Sequence, residues 1–289
     1  IIMLQKFQQH IIANFPFLEN KKLLVAISGG VDSVVLTHLL QQLNYNISLA
    51  HCNFNLRGIE SDADENFVKS IERKLHIETF IKQFDTEKFS KEQKQSTQVA
   101  ARNLRYTWFQ ELAEKHGFDY VLTAHHADDN LETFLINLTR GTGLDGFTGI
   151  PAVNGNVVRP LLSFSRDKIV RFATENAIDW REDKSNAATK YIRNKIRHQI
   201  VPVLKEINPN LLGSFQKTSK HLHESRQVIE DRIESIKKDI ISTTDNQHIK
   251  INIQHLNALS NPKAYLYQLL KDYHFTEWND VADLLSAQS

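Results

Sequence analysis

Short runs of consecutive apolar residues alternate with helical periodicity in the first half of the chain. Apolar runs of strand length occur at residues 23–28, 47–52, 77–84 and 120–124. Helical spacing of apolar residues lies between them, at 31–43, 62–75 and 97–116. A continuously apolar strand is typical of a sheet buried on both faces, and strands that alternate with helices indicate parallel βαβ units. The pattern therefore predicts an α/β fold with helices on both faces of a parallel sheet.

The pattern changes after Gly141, where glycines become frequent. Residues 141–151 are predicted to form an ordered loop. Further helices are predicted at 165–176, at 191–207 with a break near Pro202, and at 210–241. We therefore expect one domain over residues 1–208 and a smaller, mainly helical domain over residues 209–289.

The composition is typical of a soluble globular protein. Of the 289 residues, 41% are hydrophobic and 24% are charged. We find no run of about 18 apolar residues, the length that a membrane span needs. Cys52 is the single cysteine, which excludes a disulfide within the chain and zinc sites built on cysteine pairs. We expect a cytoplasmic protein that does not bind membranes.

Charge is distributed unevenly, although the net charge is only +1. Residues 1–150 contain 15 lysines and arginines against 18 acidic residues, whereas residues 151–289 contain 20 against 16. The segment from Lys184 to His198 contains no acidic residue, and its basic residues are Lys184, Lys190, Arg193, Lys195 and Arg197. A solvated helix face and a site for a phosphate-rich partner both account for this segment.

The first predicted strand turns into a helix through Ser28-Gly29-Gly30-Val31-Asp32-Ser33. Two glycines let the backbone approach a ligand, and a helix N-terminus presents free N–H groups and a positive dipole end, so phosphate is the favoured ligand. A carboxylate in such a loop would repel phosphate unless a cation bridged them, which makes Asp32 a candidate Mg²⁺ ligand. The alternative interpretation is an ordinary strand-to-helix turn.

A second cluster follows the fourth predicted strand and comprises His125, His126, Asp128, Asp129 and Glu132. Spacings of three and four residues place carboxylates on one face of the first helical turn. Acids also occur in first turns because they interact favourably with the helix dipole. At the carboxyl edge of a parallel sheet, where ligands bind, these acids could instead hold Mg²⁺ or a substrate ammonium group.

Two arginines lie one turn apart on the predicted helix over residues 97–116. Arg102 and Arg105 share one side of that helix. Paired guanidinium groups are suited to bidentate binding of phosphate or carboxylate, although such a pair on a helix is more often only solvated.

Taken in order, these segments resemble the tRNA(Ile)-lysidine synthetases, a family of the N-type ATP pyrophosphatases. The matching stretches are Ser28–Ser33, His51–Gly58, Ala101–Trp108, Thr123–Thr133, Arg140–Gly146, Arg159–Leu162, Glu182–Asn186 and Arg193–Arg197. The Ser-Gly-Gly-x-Asp-Ser loop marks only the superfamily, whereas the histidine–carboxylate and Arg-Asn-x-Ile-Arg segments make the narrower match. The resemblance implies a Rossmann-like ATP pyrophosphatase domain followed by a helical tRNA-binding domain.

The resemblance also implies a reaction. Such an enzyme uses ATP and free L-lysine to convert the wobble cytidine of the CAU-anticodon tRNA(Ile) into lysidine, which changes decoding from AUG to AUA. ATP would adenylate the oxygen on C2 with loss of pyrophosphate, and the lysine ε-amine would then attack C2 and displace AMP. Because the pKa of this amine is ordinarily about 10.4, attack needs a nearby base or a site that favours the neutral amine.

Site residues are assigned by matching position in the family. The ATP loop becomes Ser28, Gly29, Gly30, Asp32 and Ser33, with Asp32 as the Mg²⁺ ligand. Asp129 and Glu132 are expected to recognise the lysine amine. Arg105 and Arg193 are expected to hold the lysine carboxylate or the ATP phosphates. The choice within the pairs Arg102/Arg105 and Arg193/Arg197 stays open, and His125 and Asp128 are taken as neighbours of the site.

The second domain and part of the basic segment are expected to face tRNA phosphates. The residues assigned to tRNA binding are Lys190, Arg193, Lys195 and Arg197. Family members often carry further C-terminal tRNA-binding sequence, and this chain stops at Ser289 as if cut within that region. We therefore expect lower affinity for intact tRNA, and we allow for a homodimer.

Three other functions are weighed against this one. A tRNA 2-thiolation enzyme shares the ATP loop but needs a catalytic cysteine pair or an iron–sulfur cluster, which one cysteine cannot supply. A non-catalytic RNA-binding module would have no reason to gather Asp32, Asp129 and Glu132 where phosphates bind. A small-molecule ligase, such as an amidotransferase partner, is disfavoured by the basic segment.

Overall fold

A computed structural model describes residues 2–182, 192–243, 248–273 and 275–286 of the chain. The chain divides into two compact units, Ile1–Thr218 and Ser219–Ser289. This division falls C-terminal to the boundary expected at residue 208, because a long helix continues past it. Within the described ranges, no helix is both long and apolar enough to cross a membrane.

The first unit contains a six-stranded sheet. Its strands are β1 (Leu23–Ala26), β2 (Ile47–Asn53), β3 (Thr79–Gln83), β4 (Tyr120–Leu122), β5 (Val153–Asn154) and β6 (Val157–Val158). The order across the sheet is β3-β2-β1-β4-β6-β5, and every neighbouring pair is parallel except β5 with β6. The four apolar runs of the sequence are confirmed as the four strands β1 to β4.

Helices connect and cover these strands. They are α1 (Ile2–Asn14), α2 (Val31–Gln42), α3 (Ile59–Leu75), α4 (Thr86–Glu92), α5 (Thr97–His116), α6 (Ala127–Thr139), α7 (Leu144–Phe147), α8 (Arg166–Glu175), α9 (Ile192–Lys195), α10 (Val201–Ile207) and α11 (Leu211–Ile240). A π-helical turn over Ile196–Ile200 joins α9 to α10, and Pro202 lies in the first turn of α10. The expected break near Pro202 is thus confirmed, whereas α1 and α4 were not predicted and α7 interrupts the predicted loop.

Both faces of the sheet are buried. In β1, Leu23 and Val25 belong to a core with α1, α2 and α8, while Leu24 between them belongs to the opposite core with α5. Successive side chains of a strand point to opposite faces, so a run without polar residues is required where both faces are covered. This burial explains why the strands appear in the sequence as continuous apolar runs.

The second unit is small and mainly helical. It contains a hairpin of β7 (Ile241–Thr243) and β8 (Ile249–Ile251), followed by α12 (Ile253–Asn257), α13 (Pro262–Leu270) and α14 (Trp278–Asp283). Its core consists of Ile236, Ile240, Leu256, Leu266, Leu269, Leu270 and Val281. The mainly helical character expected for this region is confirmed.

The strand order determines where a ligand can bind. Strand β1 lies between β2 and β4. The chain therefore adds β2 and β3 on one side of β1, and then β4 to β6 on the other side. In such sheets the loops diverge at the carboxyl ends of the strands beside this switch point, and a crevice opens there.

Candidate active site

A cleft of about 840 Å³ lies at the carboxyl ends of β1, β2 and β4. Its walls include residues at or just beyond the end of each of these strands, among them Ser28, Asn53 and His125. Of the residues assigned from the sequence, those that line it are Ser28, Asp32, Ser33, Arg105, Asp129 and Arg193. The topology therefore brings together side chains from distant parts of the chain.

The loop between β1 and α2 is held by hydrogen bonds among its own residues. The Ser28 N–H donates to Ser33 Oγ at 3.1 Å, and Ser33 Oγ donates to the Gly30 carbonyl at 3.0 Å. No side-chain cap covers the N-terminus of α2, where Gly30 is the capping residue. The first N–H groups of this helix and its positive dipole end are therefore available to a phosphate.

Gly29 is required by the shape of the loop. Its φ of +91° is unfavourable for residues with a side chain, and a Cβ atom there would lie 3.4 Å from the Phe67 ring. The Arg181 N–H donates to the Gly29 carbonyl at 3.0 Å, and the Arg181 side chain pairs with Glu60 and Asp64 on α3. Arg181 thus connects the loop to α3, a role that no sequence motif indicated.

His126 connects the phosphate loop to the acidic cluster. It caps α6: the Asp129 N–H donates to His126 Nδ1 at 3.3 Å, and the His126 N–H donates to Asp129 Oδ2 at 3.1 Å. Because Nδ1 accepts, the neutral ring carries its proton on Nε2. That atom lies 3.7 Å from Asp32 Oδ2 and 3.4 Å from Asp129 Oδ2, so one nitrogen of the buried ring is close to both carboxylates.

Asp32 has the properties of a cation ligand. Its Oδ1 is buried and has no hydrogen-bond partner within the described part of the chain. Burial raises the pKa of Asp32, and the neighbouring Asp129 raises it further. Mg²⁺ is commonly held by one or two carboxylates together with substrate phosphates. Asp32 fits this mode. Within the described ranges, no group of three or more histidine, cysteine, aspartate or glutamate side chains is placed to hold a metal ion.

Glu132 is buried and paired with Arg197. Arg197 donates through Nε to Glu132 Oε1 at 2.6 Å and through a terminal nitrogen to Oε2 at 2.9 Å, and it also contacts Asp129 at 3.0 Å. Burial raises the pKa of Glu132, while Arg197 opposes this shift. The Arg197 guanidinium thus neutralises two acids that would otherwise repel each other. Binding of tRNA phosphates by Arg197 stays a prediction.

The structure separates the members of each arginine pair. The Arg105 guanidinium lies over the Phe54 ring at 5.2 Å and lines the cleft, whereas Arg102 lies over Tyr106 and is not among the lining residues. Arg193 lines the cleft and donates to Thr133 Oγ1 at 3.0 Å. Arg105 and Arg193 are therefore the members of the two pairs that line the cleft.

The neighbours of the acidic cluster have different surroundings. His125 faces the cleft, and burial lowers its pKa to about 4, so it is neutral at physiological pH. Asp128 instead accepts from the Arg166 N–H at 2.8 Å and from Lys205 Nζ at 3.0 Å. These bonds connect the start of α6 to α8 and α10, which is a structural role.

The basic segment is only partly described. Lys184 and Lys190 lie outside the described residues, and Lys195 is exposed. The tRNA-binding role of this segment stays a prediction.

Two protein-family models match this chain. Residues 3–204 match the PP-loop domain family, and residues 244–289 match the TilS substrate binding domain. The U34-tRNA thiolase NcsA from Methanococcus maripaludis, solved with its 4Fe–4S cluster, has a TM-score of 0.60 at 18% identity, covering 76% of this chain and 78% of that one. This likeness shows the fold alone. The fold and the loop therefore define a PP-loop protein.

Curated relatives narrow the assignment. The chain is 39% identical over 286 residues to the tRNA(Ile)-lysidine synthase of Bacteroides thetaiotaomicron. The aligned region covers 98% of this chain and 66% of that protein. It is 36% identical over 244 residues to the same-named protein of Petrotoga mobilis, covering 81% and 77%. The chain belongs to the tRNA(Ile)-lysidine synthase family. It spans 56 to 66% of the length of the first relatives that it matches.

Proposed function

We propose that this chain carries the catalytic site of an enzyme that ligates L-lysine to C2 of the wobble cytidine in CAU-anticodon tRNA(Ile), with ATP as co-substrate and Mg²⁺ as cofactor. The observation that carries the proposal is one cleft that joins the phosphate loop, Asp32 and Asp129 to two arginines. This arrangement occurs in a chain whose curated relatives are named tRNA(Ile)-lysidine synthase. A cytoplasmic location is part of the proposal.

The reaction proceeds in two displacements. The C2 oxygen of cytidine attacks the α-phosphorus of ATP, and the bond to pyrophosphate breaks. The lysine ε-nitrogen then forms a bond to C2, the bond between C2 and the adenylate oxygen breaks, and AMP leaves. The attacking amine must lose a proton, which a carboxylate can accept when the ammonium group is held beside it.

Each side chain of the cleft has a place in this scheme. The loop from Ser28 to Ser33 binds ATP phosphates through its N–H groups and hydroxyls. When Mg²⁺ is bound, Asp32 would hold it, and the ion would neutralise charge on the phosphates. Arg105 and Arg193 bind the lysine carboxylate or the phosphates.

Recognition of the lysine amine falls to the acidic cluster. Asp129 lines the cleft and accepts from Arg197 through one carboxylate oxygen, whereas the buried Glu132 accepts from Arg197 through both. We propose that Asp129 contacts and deprotonates the amine, and that a direct contact of Glu132 with lysine requires Arg197 to move. The interaction of Glu132 with lysine stays a prediction.

A 2-thiolation reaction is the less favoured alternative. The thiolase with this fold was solved with a 4Fe–4S cluster, and such clusters are held by several cysteine thiolates. This chain contains one cysteine, Cys52, and burial raises the pKa of its thiol to about 12. The thiol is therefore protonated at neutral pH and is not a ready nucleophile.

The test is incubation of the chain with ATP, Mg²⁺, labelled lysine and a tRNA(Ile) transcript bearing CAU, followed by nucleoside analysis. We expect lysidine and stoichiometric AMP and pyrophosphate. A transcript with a different wobble base serves as the control and should remain unlabelled. Pyrophosphate release without incorporation of lysine would contradict the ligase assignment. Binding of tRNA should weaken steeply with salt if tRNA phosphates are contacted. Gel filtration shows whether the chain forms a homodimer.

A further inference from the structure

A buried histidine that the sequence motifs did not assign lines the cleft beside the phosphate loop. His51 lies near the carboxyl end of β2, and only 4% of its surface is exposed. Its Nδ1 lies 2.9 Å from the carbonyl oxygen of Ile27, the residue that precedes Ser28. The ring is therefore fixed at the entrance of the loop by a backbone contact.

This contact determines the tautomer. A carbonyl oxygen only accepts hydrogen bonds, so His51 Nδ1 must carry the proton. Burial holds the pKa of His51 below its ordinary value, and the ring is neutral at physiological pH. Nε2 is then a bare acceptor.

The second ring nitrogen has no hydrogen bond in the described structure. His51 Nε2 is buried and lacks a partner among the described residues. A buried acceptor without a donor is costly, and most such groups in native proteins are satisfied by protein, water or ligand. Because the ring lines the cleft, a ligand bound there can supply the missing donor.

Few groups of a nucleoside triphosphate can donate. The phosphates only accept, which leaves the ribose hydroxyls and the exocyclic amine of adenine. The ribose is attached directly to the α-phosphate, whereas the amine lies on the far side of the purine. Since His51 is bonded to the residue that precedes the phosphate loop, the ribose is the donor group nearest to its ring.

We propose that His51 Nε2 accepts a hydrogen bond from a ribose hydroxyl of the bound nucleotide and thereby selects ribonucleotides over deoxyribonucleotides. The proposal rests on the proposed function only in that ATP occupies this cleft. It makes His51 a specificity-determining residue in addition to the phosphate loop.

Two substitutions separate the two ring nitrogens. His51→Asn keeps an N–H near the position of Nδ1, which can still donate to Ile27, but removes the acceptor at Nε2. His51→Gln places a side-chain oxygen near the position of Nε2 and gives up the bond to Ile27. The measurement is the dissociation constant of the full chain for ATP, 2′-deoxy-ATP and 3′-deoxy-ATP, with Mg²⁺ and without tRNA.

In the unsubstituted chain we expect one of the two deoxy analogues to bind about ten-fold more weakly than ATP, as the loss of one buried hydrogen bond implies. In H51N all three nucleotides should bind alike, whereas H51Q should restore part of the discrimination. A purely structural role would weaken all three equally and leave their ratio unchanged. If H51N does not fold, His51→Ala serves the same comparison.

Three results would overturn the proposal. The unsubstituted chain could bind ATP and both deoxy analogues equally, or H51N could keep the discrimination. Purine riboside triphosphate, which lacks the amine, could also lose affinity in a way that depends on His51, which would assign the acceptor to adenine instead of ribose. Failure of the unsubstituted chain to bind ATP at all would contradict the proposed function, which distinguishes the two failures.

Discussion

Replacing Arg197 by methionine should destabilise the first unit, because the buried carboxylate of Glu132 loses its counter-ion. The Glu132 side chain is only 2% exposed and the Arg197 side chain 24%. Two short hydrogen bonds join them, and a third connects Arg197 to Asp129. The substitution R197M keeps the apolar length of the side chain but leaves a buried carboxylate without its counter-ion.

The expected loss follows from this geometry. Removing one partner of a buried ion pair costs about 3–5 kcal/mol. Because Arg197 is partly open to water, which can reach the carboxylate once the guanidinium is gone, we expect a loss of about 2–3 kcal/mol at pH 8. In a domain of this size that corresponds to a fall in Tm of about 5–10 °C.

The loss should depend on pH. Burial raises the pKa of Glu132 above its ordinary value of 4.5, and without Arg197 the opposing influence is removed, so the pKa in the folded variant rises further. A group with a raised folded-state pKa contributes stability that is fully present below its unfolded pKa and lost as pH rises through the folded pKa. The deficit of R197M should therefore be small near pH 4.5 and complete at pH 8.

Calorimetric unfolding at both pH values tests this reasoning. Lys21→Met is the control, because it removes an ion pair in the same unit whose side chains are 44% and 36% exposed, and it should leave the Tm nearly unchanged. Adding Glu132→Gln to R197M should recover at least half of the loss. Unfolding of R197M at the Tm of the unsubstituted chain at pH 8, or a deficit equal at both pH values, would refute the argument.

Two further predictions concern the phosphate loop. Asp32→Asn should lower pyrophosphate release with tRNA and ATP by about 100-fold or more, while tRNA binding measured by filter retention stays nearly unchanged; loss of tRNA binding would contradict the metal role. Gly29→Ala should strain a backbone at φ +91° and weaken ATP binding several-fold, whereas Gly155→Ala, at φ +57° with open space around it, should leave the dissociation constant for ATP unchanged; equal effects on ATP binding would show that strain in the loop is not responsible.

Most strands and helices of the fold could be predicted from the sequence, whereas their exact bounds and the shortest helices could not. The strands β1 to β4 could be predicted because a strand buried on both faces needs a continuous run of apolar residues. Helix α4 was missed because its seven residues span too few turns for a periodic pattern, and its start depends on a cap, Asp85, that accepts from the Lys88 N–H. Short elements of this kind are stabilised by their neighbours more than by their own sequence.

The phosphate loop and the acidic helix start were predictable because each is a local motif. Gly29, Asp32 and Asp129 lie within a few residues of a strand end, so the motifs that contain them can be recognised from spacing along the chain. The two arginine pairs could not be resolved in the same way. Arg102 and Arg105 share one side of α5 in the sequence pattern. Only the tertiary structure shows that Arg105 lies over Phe54 and lines the cleft, whereas Arg102 does not line it.

By itself the sequence determined the sheet, the phosphate loop and the family, because apolar runs and local motifs depend on neighbours along the chain. Only the tertiary structure decided which charges meet. Arg197 is paired with Glu132 across 65 residues, and Arg181 with Asp64 across 117. His51 Nε2 lacks a partner among the described residues for the same physical reason: hydrogen bonding of a buried group depends on distances in space, which spacing along the chain does not encode.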